Sequence, residues 1–108
     1  MATVSSHILD SVTGKSAVGI RVQLKHLTSD SGIKTLFDIV SDKEGRIVEE
    51  VDVRDGEYEL IFHLAEYFSV DSASVKTAVM RFSMTDNENR YHLPLMASPH
   101  SYSVWWSE

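Results

Sequence analysis

Two histidines and one arginine carry the most chemistry in this 108-residue chain. His7 sits in the opening run Val4-Ser5-Ser6-His7-Ile8-Leu9. Arg46 directly follows Gly45. His92 stands two residues before a proline in Arg90-Tyr91-His92-Leu93-Pro94-Leu95. Imidazole titrates nearest neutral pH, which makes it the usual proton-transfer group. A guanidinium presents a rigid fork of donors to carbonyl or anionic oxygens. Together these groups could move a proton and hold an oxyanion. His7 and His92 each interrupt an apolar stretch, so each faces either a core or a subunit contact, where a charged imidazole needs a partner. Each of the three also has an ordinary reading, as a half-buried histidine or a solvated turn arginine. Nothing local in the sequence joins them.

Other chemistries are poorly served. His26, His63 and His100 read as ordinary surface or half-buried residues. No His-x-His or His-Glu-x-x-His spacing exists for a metal, and no Gly-x-Ser-x-Gly elbow for a nucleophilic serine. Asp10 and Asp38 read as strand-end residues. With no cysteine, thiolate nucleophiles, cysteine-zinc sites and disulfide scaffolds are all excluded. A net charge of −6 argues against nucleic acid, whose phosphates call for clustered Lys and Arg. The first residues lack a signal-peptide pattern. No apolar run approaches the roughly 20 residues that span a bilayer. A cytoplasmic protein with one domain over residues 1–108 is the expectation.

The elements that must position the trio are strands. Ile20, Val22 and Leu24 alternate with Arg21, Gln23 and Lys25, giving one dry and one wet face. Tyr58, Leu60 and Phe62 repeat the pattern, as do Ala78, Met80, Phe82 and Met84. Polar clusters at 13–16, 29–32, 42–45, 55–56 and 86–89 supply turns between them. This spacing predicts an all-β sandwich or barrel. Strands are expected near 4–10, 18–27, 33–41, 46–53, 57–63, 77–85, 90–97 and 101–106, with a short helix within 64–71. Pro94 cannot donate a ladder hydrogen bond, so its strand must lie at an edge or break there. Trp105 and Trp106, adjacent on a strand, would point to opposite faces.

These segments resemble the transthyretin-related 5-hydroxyisourate hydrolases. The likeness begins at His7-Ile8-Leu9-Asp10 with Thr13-Gly14-Lys15 and passes through Asp42-Lys43-Glu44-Gly45-Arg46. It continues in Gly56-Glu57-Tyr58 and Ala65-Glu66-Tyr67-Phe68. It ends in Tyr91-His92-Leu93-Pro94-Leu95, Ser98-Pro99 and Tyr102-Ser103. The resemblance implies a two-sheet, eight-stranded transthyretin-like sandwich with one short helix. It further implies a homotetramer with active sites in a channel where dimers meet. His7, Arg46 and His92 would line that channel as catalytic residues, acting on a small heterocyclic substrate by cofactor-free opening of a cyclic amide in urate catabolism. The chain departs from the family's Tyr-Arg-Gly-Ser ending. Trp105 falls on the tyrosine, Trp106 replaces the arginine, and Glu108 replaces the terminal serine. Trp105, Ser107 and Glu108 become the expected substrate contacts. The altered ending also admits a different heterocycle in a biosynthetic pathway, or ligand binding without catalysis.

Overall fold

The computed structural model describes residues 1–28, 32–68 and 73–107. The turn expected at 29–32 and the end of the helix expected within 64–71 fall largely outside the described residues, and Glu108 falls outside them altogether. In chain order the elements are β1 (Ala2–Asp10), β2 (Lys15–Ser16), β3 (Arg21–Thr28), β4 (Gly32–Val40), β5 (Arg46–Val51) and β6 (Gly56–His63). They continue with α1 (Ala65–Phe68), β7 (Thr77–Met84), β8 (Arg90–His92), β9 (Leu95–Ala97) and β10 (Tyr102–Val104).

Two sheets pack face to face. One has the order β4-β3-β6-β7, all antiparallel. The other is built around β1. The first half of β1 pairs with β5 on one side and, in parallel, with β8 on the other. Its second half pairs with β2 and, in parallel, with β9, which carries β10 at the edge. The period-two reading holds. Val22, Leu24, Tyr58, Leu60, Phe62, Ala78 and Met84 are buried between the sheets, facing Val4, Ile8, Ile47, Leu93 and Leu95 of the other layer.

The single strand expected over 90–97 is two, split at Leu93–Pro94 because proline has no N–H for the ladder. The segment crosses the gap with Leu93 donating to the Ser5 carbonyl at 2.9 Å and Ser6 Oγ donating to the Leu93 carbonyl at 2.6 Å. Lys15–Ser16, expected as turn, is a strand because it pairs with Asp10 and Leu9. The last strand ends at Val104 rather than 106, so both tryptophans follow it.

The helix is tied to the end of β1 by a buried carboxylate. Asp10 Oδ1 accepts from the Val12 and Thr13 amides at 2.8 and 3.3 Å, and Oδ2 accepts from the Tyr67 hydroxyl at 2.9 Å. Burial, and then the bond to Asp10, push the Tyr67 hydroxyl above its ordinary pKa. Tyr67→Phe leaves a buried carboxylate short of one donor, so thermal unfolding should show a loss of about 1–2 kcal/mol. An unchanged Tm would mean that this bond adds nothing to stability.

Candidate active site on the outer face of the first sheet

Alternation along β1 sends Val4, Ser6 and Ile8 inward and Thr3, Ser5, His7 and Leu9 outward. Strand pairing then sets neighbours beside each outward residue, in tiers across the sheet. Thr3 lies between Glu50 of β5 and Arg90 of β8. Ser5 lies between Val48 and His92, and Ser107 bridges to His92 from beyond. His7 lies directly opposite Arg46. Leu9 lies between Ser16 and Met96, with Ser103 beyond Met96. His7, Arg46 and His92 therefore share one face within two adjoining tiers. The break at Leu93–Pro94 leaves the side of His7 away from Arg46 without a β8 or β9 ladder partner. The trio is brought together within one chain, although each member comes from a different strand.

Each member is held by neighbours that sequence reasoning passed over. Arg46 opens β5 at the end of a tight turn. Asp42 Oδ1 accepts from the amides of Glu44 and Arg46, each at 2.9 Å, and the Asp42 amide donates to the Arg46 carbonyl at 3.0 Å. Those two amide bonds, from Arg46 first and then Glu44, hold the Asp42 carboxyl below its ordinary pKa, and the nearby Arg46 and His7 charges add to the effect. His7 Nε2 meets Ser16 Oγ at 3.1 Å, and His92 Nδ1 meets Ser5 Oγ at 2.8 Å. Ser5 had a readable signal, since it stands two residues before His7 on a period-two strand. Ser16 and Asp42 had none beyond their turn chemistry.

The electrostatics favour a neutral His92. Burial lowers its pKa first, followed by the Arg46 guanidinium and His7, while a hydrogen bond to the Ser5 main chain pulls the other way. A neutral imidazole beside a fixed cation can take a proton while the cation receives negative charge.

The end of the chain borders this face. Ser107 donates its amide to the His92 carbonyl at 2.9 Å, and Trp105 donates its amide to the Pro94 carbonyl at 3.3 Å. Trp106, 41% exposed, meets Phe82 and Tyr91 edge-on, with ring centroids 6.0 and 5.4 Å away. Among the described residues Trp105 makes no ring contact, and it is 42% exposed. Neither indole is buried and neither belongs to a strand, so the expected inward-and-outward pair is not formed; Trp106 differs only in lying against buried rings. Trp106 and Ser107, with Asn89 and Arg90, line a hollow of about 320 Å³ next to His92. A separate hollow of about 250 Å³, lined by Met1, His26, Lys34 and Arg54 among others, contains none of the trio. Among the described residues no set of three His, Asp or Glu side chains converges as a metal site, and no helix is long and apolar enough to cross a membrane.

Comparison with known proteins bears on this geometry. A sequence model of the HIUase/Transthyretin family matches residues 4–106. A 5-hydroxyisourate hydrolase of Deinococcus radiodurans is 34% identical over 111 residues, covering 94% of this chain and 92% of that one. A protein of Rhizobium meliloti named 5-hydroxyisourate hydrolase 2 is 31% identical, with the same coverage of 94% and 92%. Among solved structures, the Klebsiella pneumoniae 5-hydroxyisourate hydrolase superposes with a TM-score of 0.83 at 28% identity, covering all of both chains. An (S)-allantoin synthase superposes with a TM-score of 0.85 at 25% identity, and this chain spans 44% of it.

Proposed function

Because this chain belongs to the HIUase/Transthyretin family, we propose that it hydrolyses 5-hydroxyisourate in urate catabolism, with His7, Arg46 and His92 as the catalytic set. The observation that carries this reading is the shared outer face. Ladder register sets His7 opposite Arg46, and His92 is one tier away with its basicity lowered by burial first and then by Arg46 and His7.

The reaction adds water to a ring carbonyl of a cyclic amide. His92 takes a proton from the attacking water, and the new C–O bond makes a tetrahedral oxyanion. Arg46 holds the substrate's oxygens and receives that charge, a preorganised contribution of about 3–4 kcal/mol in comparable sites. The C–N bond then breaks, and the proton held by the imidazole passes to the departing nitrogen. Breaking that bond gives an N–H group and a carboxylic acid, which releases its proton to solvent as the carboxylate. His7 orients the water or helps carry the proton. No metal or organic cofactor is proposed, because the heterocycle already activates the leaving nitrogen. Trp105, Ser107 and Glu108 are the proposed substrate contacts. The amide bonds from Trp105 to the Pro94 carbonyl and from Ser107 to the His92 carbonyl of β8 support this for the first two.

The same face carries exposed Val48 (61%) and Met96 (42%) around the polar trio. An apolar rim around a polar site suits burial against another copy of the chain. This supports self-association through this face; a homotetramer with sites between dimers, in the cytoplasm, is proposed on the family resemblance alone.

Ultraviolet absorbance of freshly made 5-hydroxyisourate tests the substrate. Decay accelerated in proportion to enzyme is expected. Saturable tryptophan quenching without turnover would replace the hydrolase with a binding protein. The pH profile has a defined sign. A base with a lowered pKa stays competent down to lower pH, so kcat should fall only as pH drops below the ordinary imidazole value of about 6.5. The contribution of neutral His92 to folding follows the same direction, complete above that value and lost as pH falls through the lowered pKa. A kcat that declines at clearly higher pH would remove His92 as the base.

A further inference from the structure

We propose that Ser5 is a positioning residue that fixes the tautomer of His92, with the proton on Nδ1 and the bare lone pair on Nε2. The inference rests on the hydrolase reading and assigns which nitrogen does the work. Ser5 and His92 are direct neighbours on β1 and β8, and Ser5 Oγ lies 2.8 Å from Nδ1. A hydroxyl alone accepts or donates, so this contact by itself leaves the tautomer open. The reaction decides it. Nδ1 is the nitrogen taken up by Ser5 Oγ, which leaves Nε2 to meet water, so the lone pair must sit on Nε2. Nδ1 therefore carries the hydrogen, and Oγ receives it.

The Ser5 carbonyl accepts from the Leu93 amide at 2.9 Å, and the hydroxyl is the group Ser5 offers the ring. His7 is anchored by its other nitrogen, Nε2, on Ser16. The two imidazoles are thus tied at opposite nitrogens, leaving Nε2 of His92 and Nδ1 of His7 for the reaction. A base needs the lone pair on the nitrogen that meets water. Holding the wrong tautomer disables a histidine whose position is otherwise correct.

Ser5→Ala removes the hydroxyl and leaves the carbonyl, while Ser5→Thr retains both. We expect Ser5→Ala to lower kcat by about ten- to a hundredfold with KM little changed, and Ser5→Thr to restore most of it. Nitrogen-15 spectra of the imidazoles, with His92 identified by its absence in His92→Gln, provide a readout independent of turnover. The Nδ1–H form should dominate in the unaltered protein, with Nε2–H appearing in Ser5→Ala. An Nε2–H form in the unaltered protein overturns the proposal, and so does full kcat in Ser5→Ala. If Nδ1–H is found but 5-hydroxyisourate is not turned over, the substrate reading fails and the tautomer assignment stands.

Discussion

Arg46→Ala should lower kcat on 5-hydroxyisourate by about a hundredfold or more, and His92→Ala by a similar factor, in protein that still folds. Losing one preorganised oxyanion donor typically removes about 10²–10³ in rate, and losing a positioned base removes about 10²–10⁴. Neither side chain belongs to the buried core, so Tm should change little, with stability altered by no more than about 1 kcal/mol. Arg46 gives the sharper test because it acts in two separable ways. Its charge is the largest electrostatic cause, after burial, of the lowered basicity of His92. In Arg46→Ala that cause disappears, so the acid limb of the residual activity should move to higher pH. Arg46→Lys retains a charge and gives up the planar fork. Its limb should stay near that of the unaltered enzyme while kcat still falls. Identical limbs in all three proteins would separate Arg46 from His92 electrostatically. Unchanged kcat in either alanine variant would remove that residue from the mechanism.

What the sequence could reveal followed from how far each signal reaches. Alternation is local, so the inward faces of β3, β6 and β7 were legible from Val22, Tyr58, Phe82 and their neighbours. Pro94 announced a break because its missing N–H is a property of one residue. The meeting of His7 with Arg46 was different. It depends on the register between β1 and β5, which no local pattern encodes, so only the family resemblance implied it. Lys15–Ser16 was missed because a two-residue strand has no period of its own and exists only through its bonds to Leu9 and Asp10. Ser5 was legible in principle. Thr3, Ser5 and His7 form a polar stripe at strand spacing, and a stripe that wet on a central strand marks a face with work to do. The tryptophan pair misled in one respect. Aromatic residues favour strands, but the chain leaves β10 at Val104, and Trp106 stays 41% exposed while lying edge-on against Phe82 and Tyr91.

Gly45→Ala should be the most damaging single-atom change near the site, and Gly14→Ala is its control. Both glycines have φ of +74°, where a side chain is strained. That strain amounts to about 1 kcal/mol or somewhat more at either position. Their surroundings differ. A Cβ on Gly14 meets nothing within 4 Å, whereas one on Gly45 would stand 2.7 Å from the Ile8 carbonyl oxygen, 2.9 Å from Ser16 Cβ and 3.1 Å from the Ala17 amide. Two of those atoms are main chain and cannot swing aside. The Ile8 carbonyl is also the acceptor for the Ala17 amide at 2.9 Å, and the Ile8 amide donates to the Gly45 carbonyl at 2.7 Å. Relieving the clash must therefore stretch the contacts that fasten β1 to the start of β5 and to β2. Gly45→Ala should lose roughly 3 kcal/mol or more once crowding is added to the strain, which at this size lowers Tm by about 10 °C or more. Gly14→Ala should lose about a third of that. The site moves with the backbone, because Arg46 is the next residue and Ser16 anchors His7. A shift near 1 Å in such a pair can lower turnover by about a hundredfold, so Gly45→Ala should be slow even well below its Tm. Gly14→Ala should retain full kcat. Equal Tm losses in the two variants would show that β1 and the turn before β5 are not in close contact, and the geometry that joins His7 to Arg46 would fail with it.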